Sequence, residues 1–213
     1  HKAQELLSSA SSTGKLKNIV ILSDGEPTYS HPFTATATYS NCDAWTSLGC
    51  PRGGSVTNIG AATPNYDERI GEGDRFSISY NALVTATCPK HGESTDKNYV
   101  YSLDGTFTTK SGTNNGVATI WEANQAKAAG ATLYSVALQA GTNGENVLKS
   151  CASDPVKGYF AIASNESDVA GKLQSAFETI AGSIAIAASN GNVTDPMSDY
   201  VSLAFYNEPS VTN

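Results

Sequence analysis

A short apolar run that ends in an acidic turn limits how this chain can fold. Residues 19–22 (Ile-Val-Ile-Leu) contain no polar side chain, which is typical of a central strand in a parallel sheet, buried on both faces. Asp24, Gly25 and Pro27 then break the strand and turn the chain outward. Open α/β sheets bind their ligands at the carboxyl ends of the strands. Asp24 is therefore the first candidate binding residue.

Apolar periodicity predicts three helices. One is already under way at residues 1–9, where no capping residue precedes the apolar positions. A second helix is predicted over residues 116–129, with Val117, Ile120 and Ala123 towards the sheet. The third is the clearest amphipathic helix, and its apolar positions are Val169, Leu173, Ala176, Phe177, Ile180 and Ile184.

The stretch Leu22-Ser-Asp-Gly-Glu26 resembles the end of the fourth strand of a von Willebrand factor type A (VWA) domain. Residues 131–138 and 146–153 are similar to the strand and short helix that follow it, and residues 159–163 and 167–184 to the last strand and helix. The resemblance covers about half of the chain. It implies a Rossmann-like three-layer α/β/α core.

In VWA domains the matching aspartate belongs to a metal-ion-dependent adhesion site (MIDAS), so the resemblance implies that Asp24 helps to hold Mg²⁺ (or Mn²⁺ or Ca²⁺). The family's Asp-x-Ser-x-Ser loop and later Thr are not identifiable here, and no apolar strand leads into the nearest imitation, at Asp104. Asp24 alone cannot satisfy the near-octahedral geometry of Mg²⁺. The alternative is a turn-forming Asp24 that binds nothing.

The chain divides into core, insert and core. Residues 1–29 and 116–188 are assigned to the VWA core, and residues 30–115 to a long β-rich insert. One or two β-hairpin arms are expected in the insert, with strands near residues 75–80 and 99–103. The segment 189–213 resembles the strand by which VWA-bearing pilus tip adhesins of Gram-positive bacteria enter an immunoglobulin-like stalk. We expect the first strands of the VWA domain to belong to a preceding part of the protein, removed or retained as an associated fragment.

The four cysteines allow three disulfide pairings. Cys42 and Cys50 flank a small loop and are the favoured pair, which leaves Cys88 and Cys151 to tie the insert to the core. Zinc is the weaker alternative, because no Cys-x-x-Cys spacing occurs. Paired cysteines would place the protein outside a reducing cytosol.

Composition narrows the classes of partner. The net charge of -7 argues against nucleic acid and anionic membranes as partners. Membrane insertion is not expected, because the sequence contains no run of about 18 apolar residues. Tyr39, Trp45 and Tyr66 are expected to pack inside the insert, although aromatic residues also favour recognition surfaces. Trp121 is expected to pack between helix and sheet, and His31 and His91 to be solvated.

No motif of a hydrolase, metalloprotease or phosphate-binding enzyme is present, so we expect a protein that is not an enzyme. The resemblance implies a secreted, cell-wall-associated adhesin at a pilus tip, with a role in virulence. Its partners would be a host-surface or extracellular-matrix protein and other pilus subunits. A metal-free structural or assembly domain of the pilus is the alternative. A metal-inserting or chaperone-like VWA protein that works with an ATPase is less consistent with paired cysteines.

Overall fold

A computed structural model describes residues 1–8, 16–40, 54–157, 159–163 and 166–189 of the chain. It contains helices in the core and strands in both the core and the insert. In chain order they are α1 (Lys2–Leu7), β1 (Lys17–Ser23), β2 (Tyr29–Ser30), β3 (Phe33–Tyr39), β4 (Val56–Thr57), β5 (Thr63–Pro64), β6 (Ile70–Gly71), β7 (Ser77–Ile78), β8 (Ala82–Thr87), β9 (Ser94–Tyr101), β10 (Phe107–Thr108), β11 (Thr113–Asn114), α2 (Gly116–Ala128), β12 (Ala131–Leu138), α3 (Gly141–Cys151), β13 (Phe160–Ala163) and α4 (Glu166–Ser189).

The core is a parallel sheet with strand order β1-β12-β13. Helices α2 and α3 cover one face, where Ala123, Val147 and Cys151 pack with Leu133 of the central strand. Helix α4 packs against β12 and β13. Alternating strands and helices of this kind bury a parallel sheet between helical layers. The predicted Rossmann-like α/β core is confirmed, and β12 has the bounds that the sequence suggested.

Strand β1 differs from the buried central strand that its apolar run predicted. Ile19 and Ile21 pack into the cluster under α2 and α3, but Val20 is 41% exposed and Leu22 is 49% exposed. Within the described residues β1 pairs only with β12, so it lies at an edge of this sheet. An apolar run indicates that the side chains on both faces of a strand can be buried. Whether they are buried depends on the elements that pack over each face.

The insert forms one larger sheet instead of separate hairpin arms. Its strand order is β10-β9-β8-β3-β4, and β5 also pairs with β3. Strands β8 and β9 make an antiparallel pair, but β3 and β8 are parallel, with Thr34 opposite Leu83. The side chains of β3 alternate between buried and less buried positions from Phe33 to Tyr39, as expected of a sheet with one packed face.

Asn81 ties three strands of the insert together just before β8. Its side-chain amide donates to the Tyr101 carbonyl at 3.1 Å and to Thr113 Oγ1 at 3.2 Å, and its side-chain oxygen accepts the Tyr101 N–H at 2.7 Å. Its backbone carbonyl accepts the Phe33 N–H at 2.7 Å. A fully satisfied buried amide fixes one pairing geometry, because any other would leave polar groups unpaired.

The predicted strands inside the insert are only partly present. In the first, over residues 75–80, only Ser77–Ile78 is extended and paired, as β7. Phe76 packs under the core helices, while Tyr80 is exposed. The second, over residues 99–103, overlaps only the end of β9.

Helix α2 confirms the prediction for residues 116–129 to within one residue. Ala123 and Ile120 pack into the core cluster, as expected. Val117 instead packs against the insert. Trp121 packs between helix and sheet, as expected, but on the insert sheet, where its ring lies 5.9 Å from the ring of Phe33. Helix α2 therefore contributes side chains to two hydrophobic clusters, one in the core and one in the insert.

The remaining helices agree with the sequence in position more than in length. Helix α3 begins five residues before the predicted start at 146, directly after a turn in which Gln139 has a φ of 54°. Helix α4 contains the predicted amphipathic segment. Helix α1 has no buried residue. Among the described helices, none combines the length and apolarity needed to cross a membrane.

The predicted Cys88–Cys151 disulfide is wrong, because Cys151 has a free thiol. Cys151 is buried among α2, α3 and β12, whereas Cys88 is buried in the insert cluster around Tyr39 and Val84. The two cysteines therefore belong to separate hydrophobic clusters. The favoured Cys42–Cys50 pair, like Trp45 and the stalk-like segment 190–213, lies outside the described residues.

We predict that Cys151 does not react with thiol reagents in the folded protein at pH 8. Burial raises the pKa of its thiol to about 11, and the thiol has little access to solvent. Titration with a chromogenic disulfide should detect this thiol only after denaturation, and Cys151→Ser should lower the denatured count by one. Rapid labelling of the native thiol, lost in Cys151→Ser, would contradict the assignment.

Candidate binding edge of the core sheet

Asp24 lies where the sequence placed it, immediately after β1 at the carboxyl edge of the core sheet. Its side chain is exposed. Strands β1 and β12 are parallel, so β12 ends at the same edge, with Ser23 opposite Ala137. This is the edge at which open α/β sheets bind ligands.

The loop that carries Asp24 is held against the first turns of α3. A methyl group at Gly144 would lie 2.8 Å from the Gly25 carbonyl oxygen, so only glycine permits this approach. A methyl group at Gly141 would lie 3.5 Å from Glu26 Oε1, which places the Glu26 carboxylate beside the start of α3. A negative charge is favourable near a helix N-terminus. The loop thus presents Asp24 outward from a fixed backbone.

The described residues do not make a complete metal site around Asp24. In the described part of the chain, no group of three or more His, Cys, Asp or Glu side chains is arranged to hold a metal ion. The nearby Ser23 hydroxyl lies 3.3 Å from the Gly25 carbonyl within its own turn. Mg²⁺ requires about six oxygen ligands in near-octahedral geometry. The metal-binding role of Asp24 stays a prediction.

Other acidic residues of the insert serve local structure. Asp104 is exposed and accepts hydrogen bonds from the hydroxyl and the N–H of Thr106, which lower the pKa of its carboxyl group. This is the behaviour of a turn residue. In the acidic run after Tyr66, Glu72 pairs with Arg75 at 3.1 Å, with both side chains exposed.

The aromatic residues and histidines divide between packing and a cavity. Tyr39 is buried in the insert cluster, as expected. His91 is exposed, also as expected. His31 and Tyr66 differ from the prediction, because both line a cavity between the insert and the core. Their rings meet edge to face at 5.4 Å.

This cavity, called the Glu122 cavity below, was not predicted from the sequence. It has a volume of about 480 Å³ and lies among α1, β1, α2 and the insert loops, within the usual size range of ligand pockets. Its lining includes Ile19, Ile21, Leu133, Tyr66 and Glu122. Glu122 lies between Trp121 and Ala123 on α2, which pack on the insert and the core respectively.

The Glu122 carboxylate lines this cavity together with Arg69 and His1, and the Glu122 side chain is only 18% exposed. Oε1 accepts a hydrogen bond from the Tyr66 hydroxyl. Oε2 is shielded from solvent and accepts no hydrogen bond from the described residues, and it forms an ion pair with the α-amino nitrogen of His1 at 3.5 Å. Burial and the neighbouring Glu122 raise the pKa of Tyr66 well above its usual value.

Comparisons with known proteins show a likeness in fold. No protein-family profile matches the chain, and no curated protein is significantly similar to it. Among solved structures, the pilus adhesin SpaC from Lactobacillus rhamnosus GG in its open conformation is similar with 17% identity and a TM-score of 0.48. The match covers 85% of this chain and 18% of SpaC.

The vWF domain of the type V pili tip protein Mfa5 from Porphyromonas gingivalis is similar with 19% identity and a TM-score of 0.45. That match covers 91% of this chain and 68% of the Mfa5 domain. At these identities and TM-scores the likeness carries no argument about ligand or activity.

We predict that Gly144→Ala destabilises the protein by about 2 kcal/mol, because the added methyl group would collide with the Gly25 carbonyl. Urea unfolding measures the change. The matched control is Gly171→Ala in α4, where a methyl group meets nothing within 4 Å. That control should stabilise the helix by about 0.5–1 kcal/mol. Equal effects of the two substitutions would contradict the close approach of α3 to the Asp24 loop.

Proposed function

We propose that this chain is an adhesion module that binds its ligand at the carboxyl edge of the core sheet. The observation that carries the proposal is the exposed Asp24 carboxylate, presented at that edge by a loop packed on α3 through Gly144. Ligand sites of open α/β sheets form at this edge. The VWA resemblance of the same residues supports adhesion over other kinds of binding.

A surface location on a pilus is part of the proposal. The similar solved structures are those of a pilus adhesin and of a pilus tip protein, and their names agree with the resemblance in the sequence. The proposed partners are a host-surface or extracellular-matrix protein at the Asp24 edge and other pilus subunits elsewhere. Binding, and not catalysis, is proposed as the activity.

Metal dependence is a separate part of the proposal. Asp24 offers one carboxylate to Mg²⁺, Mn²⁺ or Ca²⁺, and the described residues do not supply the remaining oxygen ligands. A metal at this edge would therefore need donors from other segments of the protein. Ligand binding and metal binding are therefore measured in separate experiments.

A metal-free assembly domain of a pilus is the second candidate. It is favoured by the exposed Val20 and Leu22 side chains, because they leave apolar surface on β1 for a neighbouring subunit.

We predict that Asp24→Ala lowers adhesion at least about tenfold, as expected when a charged group at a binding site is lost, without changing the free energy of unfolding. The measurement is binding of the full protein, displayed on its own cells, to immobilised fibronectin, collagen and mucin. Asp67→Ala, which removes an exposed carboxylate from an insert loop, is the control and should have no effect.

Calorimetric titration with Mg²⁺ and Mn²⁺ tests the metal on the same two variants. Metal binding that is lost only in Asp24→Ala would support metal-dependent adhesion. Adhesion that depends on Asp24 but is unaffected by chelation would support a metal-free binding edge. Unchanged adhesion by Asp24→Ala would contradict the proposed site and favour the assembly domain.

A further inference from the structure

We propose, on the basis of the binding edge proposed above, that Gln139 is a second ligand-contacting residue at that edge and that its side-chain amide binds the main chain of an extended polypeptide. Gln139 directly follows β12, which ends at the same edge as β1. Its backbone is in an unfavourable conformation, and its side chain is exposed. Gln139 would add a directional contact to the charge of Asp24.

Gln139 leaves the core sheet beside Asp24. Strands β1 and β12 are parallel neighbours, with Ser23 opposite Ala137, and neighbouring strands lie about 4.8 Å apart. Asp24 directly follows Ser23, and Gln139 comes shortly after Ala137. Both residues therefore leave the sheet at adjacent positions on the same edge.

The turn of Gln139 and the loop of Asp24 are held by the same part of α3. A methyl group at Gly144 would lie 2.8 Å from the Gly25 carbonyl oxygen and 2.9 Å from the Ala140 Cβ atom. Gly25 directly follows Asp24, and Ala140 directly follows Gln139, so both segments pack on one turn of the helix. Residues that are held on rigid elements in this way can present a ligand with a fixed arrangement of side chains.

The backbone of Gln139 has the left-handed conformation that favours glycine. Its φ is 54°, and among the described residues other than glycine only Asn58 also has a positive φ. Asparagine tolerates this region because its short side chain bonds the local backbone, whereas glutamine lacks this compensation. Strained residues of this kind cluster at functional sites. The turn alone would be more stable with glycine, so it does not account for the glutamine.

The amide of Gln139 suits the main chain of an extended polypeptide. The side chain is exposed, and no hydrogen bond joins it to another residue in the described part of the chain. A carboxamide offers both N–H donors and a C=O acceptor. In an extended chain the N–H and the C=O of one residue point to the same side, and strands pair through both groups. The Gln139 amide can therefore form two hydrogen bonds with a single residue of the ligand.

A glycan matches this amide less well. A sugar hydroxyl also donates and accepts, but it carries both functions on one oxygen atom, whereas the donor and the acceptor of a carboxamide are separate atoms in one plane. The neighbouring Asp24 carboxylate adds an acceptor for a further N–H or for a cationic side chain of the same polypeptide.

The test measures adhesion of the full protein, displayed on its own cells, to immobilised fibronectin, collagen and mucin. Gln139→Ala and Gln139→Gly should each lower binding about threefold to tenfold, as expected for the loss of uncharged hydrogen bonds. Gln139→Gly should also raise the Tm by about 2 °C, because glycine relieves the left-handed backbone. Gln139→Ala should leave the Tm nearly unchanged. An equal loss of binding in both variants assigns the effect to the amide and not to the backbone.

Asn58→Gly is the matched control, because Asn58 is the other left-handed residue and lies in the insert. It should leave adhesion unchanged. Enzymatic removal of glycans from the coated proteins should preserve the binding that depends on Gln139, and its loss would overturn the assignment of a polypeptide ligand. Unchanged binding by both Gln139 variants, with binding lost in Asp24→Ala, would overturn the role of Gln139 and leave the binding edge in place. Unchanged binding by the variants at both positions would overturn both proposals.

Discussion

The structure depends on one buried amide at the junction of core and insert. Asn115 is 0% exposed, and its side chain donates to the carbonyls of Arg75 and Phe76, both at 3.1 Å, while accepting from the Ser30 hydroxyl at 3.0 Å. Its backbone N–H also donates to the Phe76 carbonyl, at 2.9 Å. One residue thus joins the segment that follows β1, the middle of the insert and the start of α2. Its removal would leave several buried polar groups unpaired, each at a cost of about 1–3 kcal/mol.

This junction fixes the start of α2, which lines the Glu122 cavity. With its first residue fixed, α2 packs on the insert through Trp121 and on the core through Ala123. The gap between these two contacts, under α1, is the Glu122 cavity. The Asp24 loop packs on α3 through Gly144, and the hydrophobic cluster beneath α3 also contains Phe76 of the insert.

The sequence predicted what local pattern controls. The strand that ends before Asp24 and the start of α2 follow from apolar runs and periodicity, and the bounds of β12 follow from the VWA resemblance. The parallel pairing of β3 with β8 could not be predicted, because the local sequence carries no signal for which strands pair across a long connection. The exposed face of β1 was missed because an apolar run cannot report what covers it. The cavity was missed because Tyr66 and Glu122 are 56 residues apart, and Cys151 was mispaired because it lies in a different cluster from Cys88.

Hydrogen exchange measured by mass spectrometry on the unaltered protein and on Asn115→Ala tests most directly whether core and insert form one cooperative unit. Peptides from β8 and β12 report on the insert and the core respectively. The account predicts equal opening free energies for both strands in the unaltered protein and a loss of protection in both for Asn115→Ala. Asn98→Ala, on the exposed side of β9, should leave both unchanged. Loss of protection in β8 with β12 unaffected would show that the insert folds separately, which would contradict the central role of Asn115.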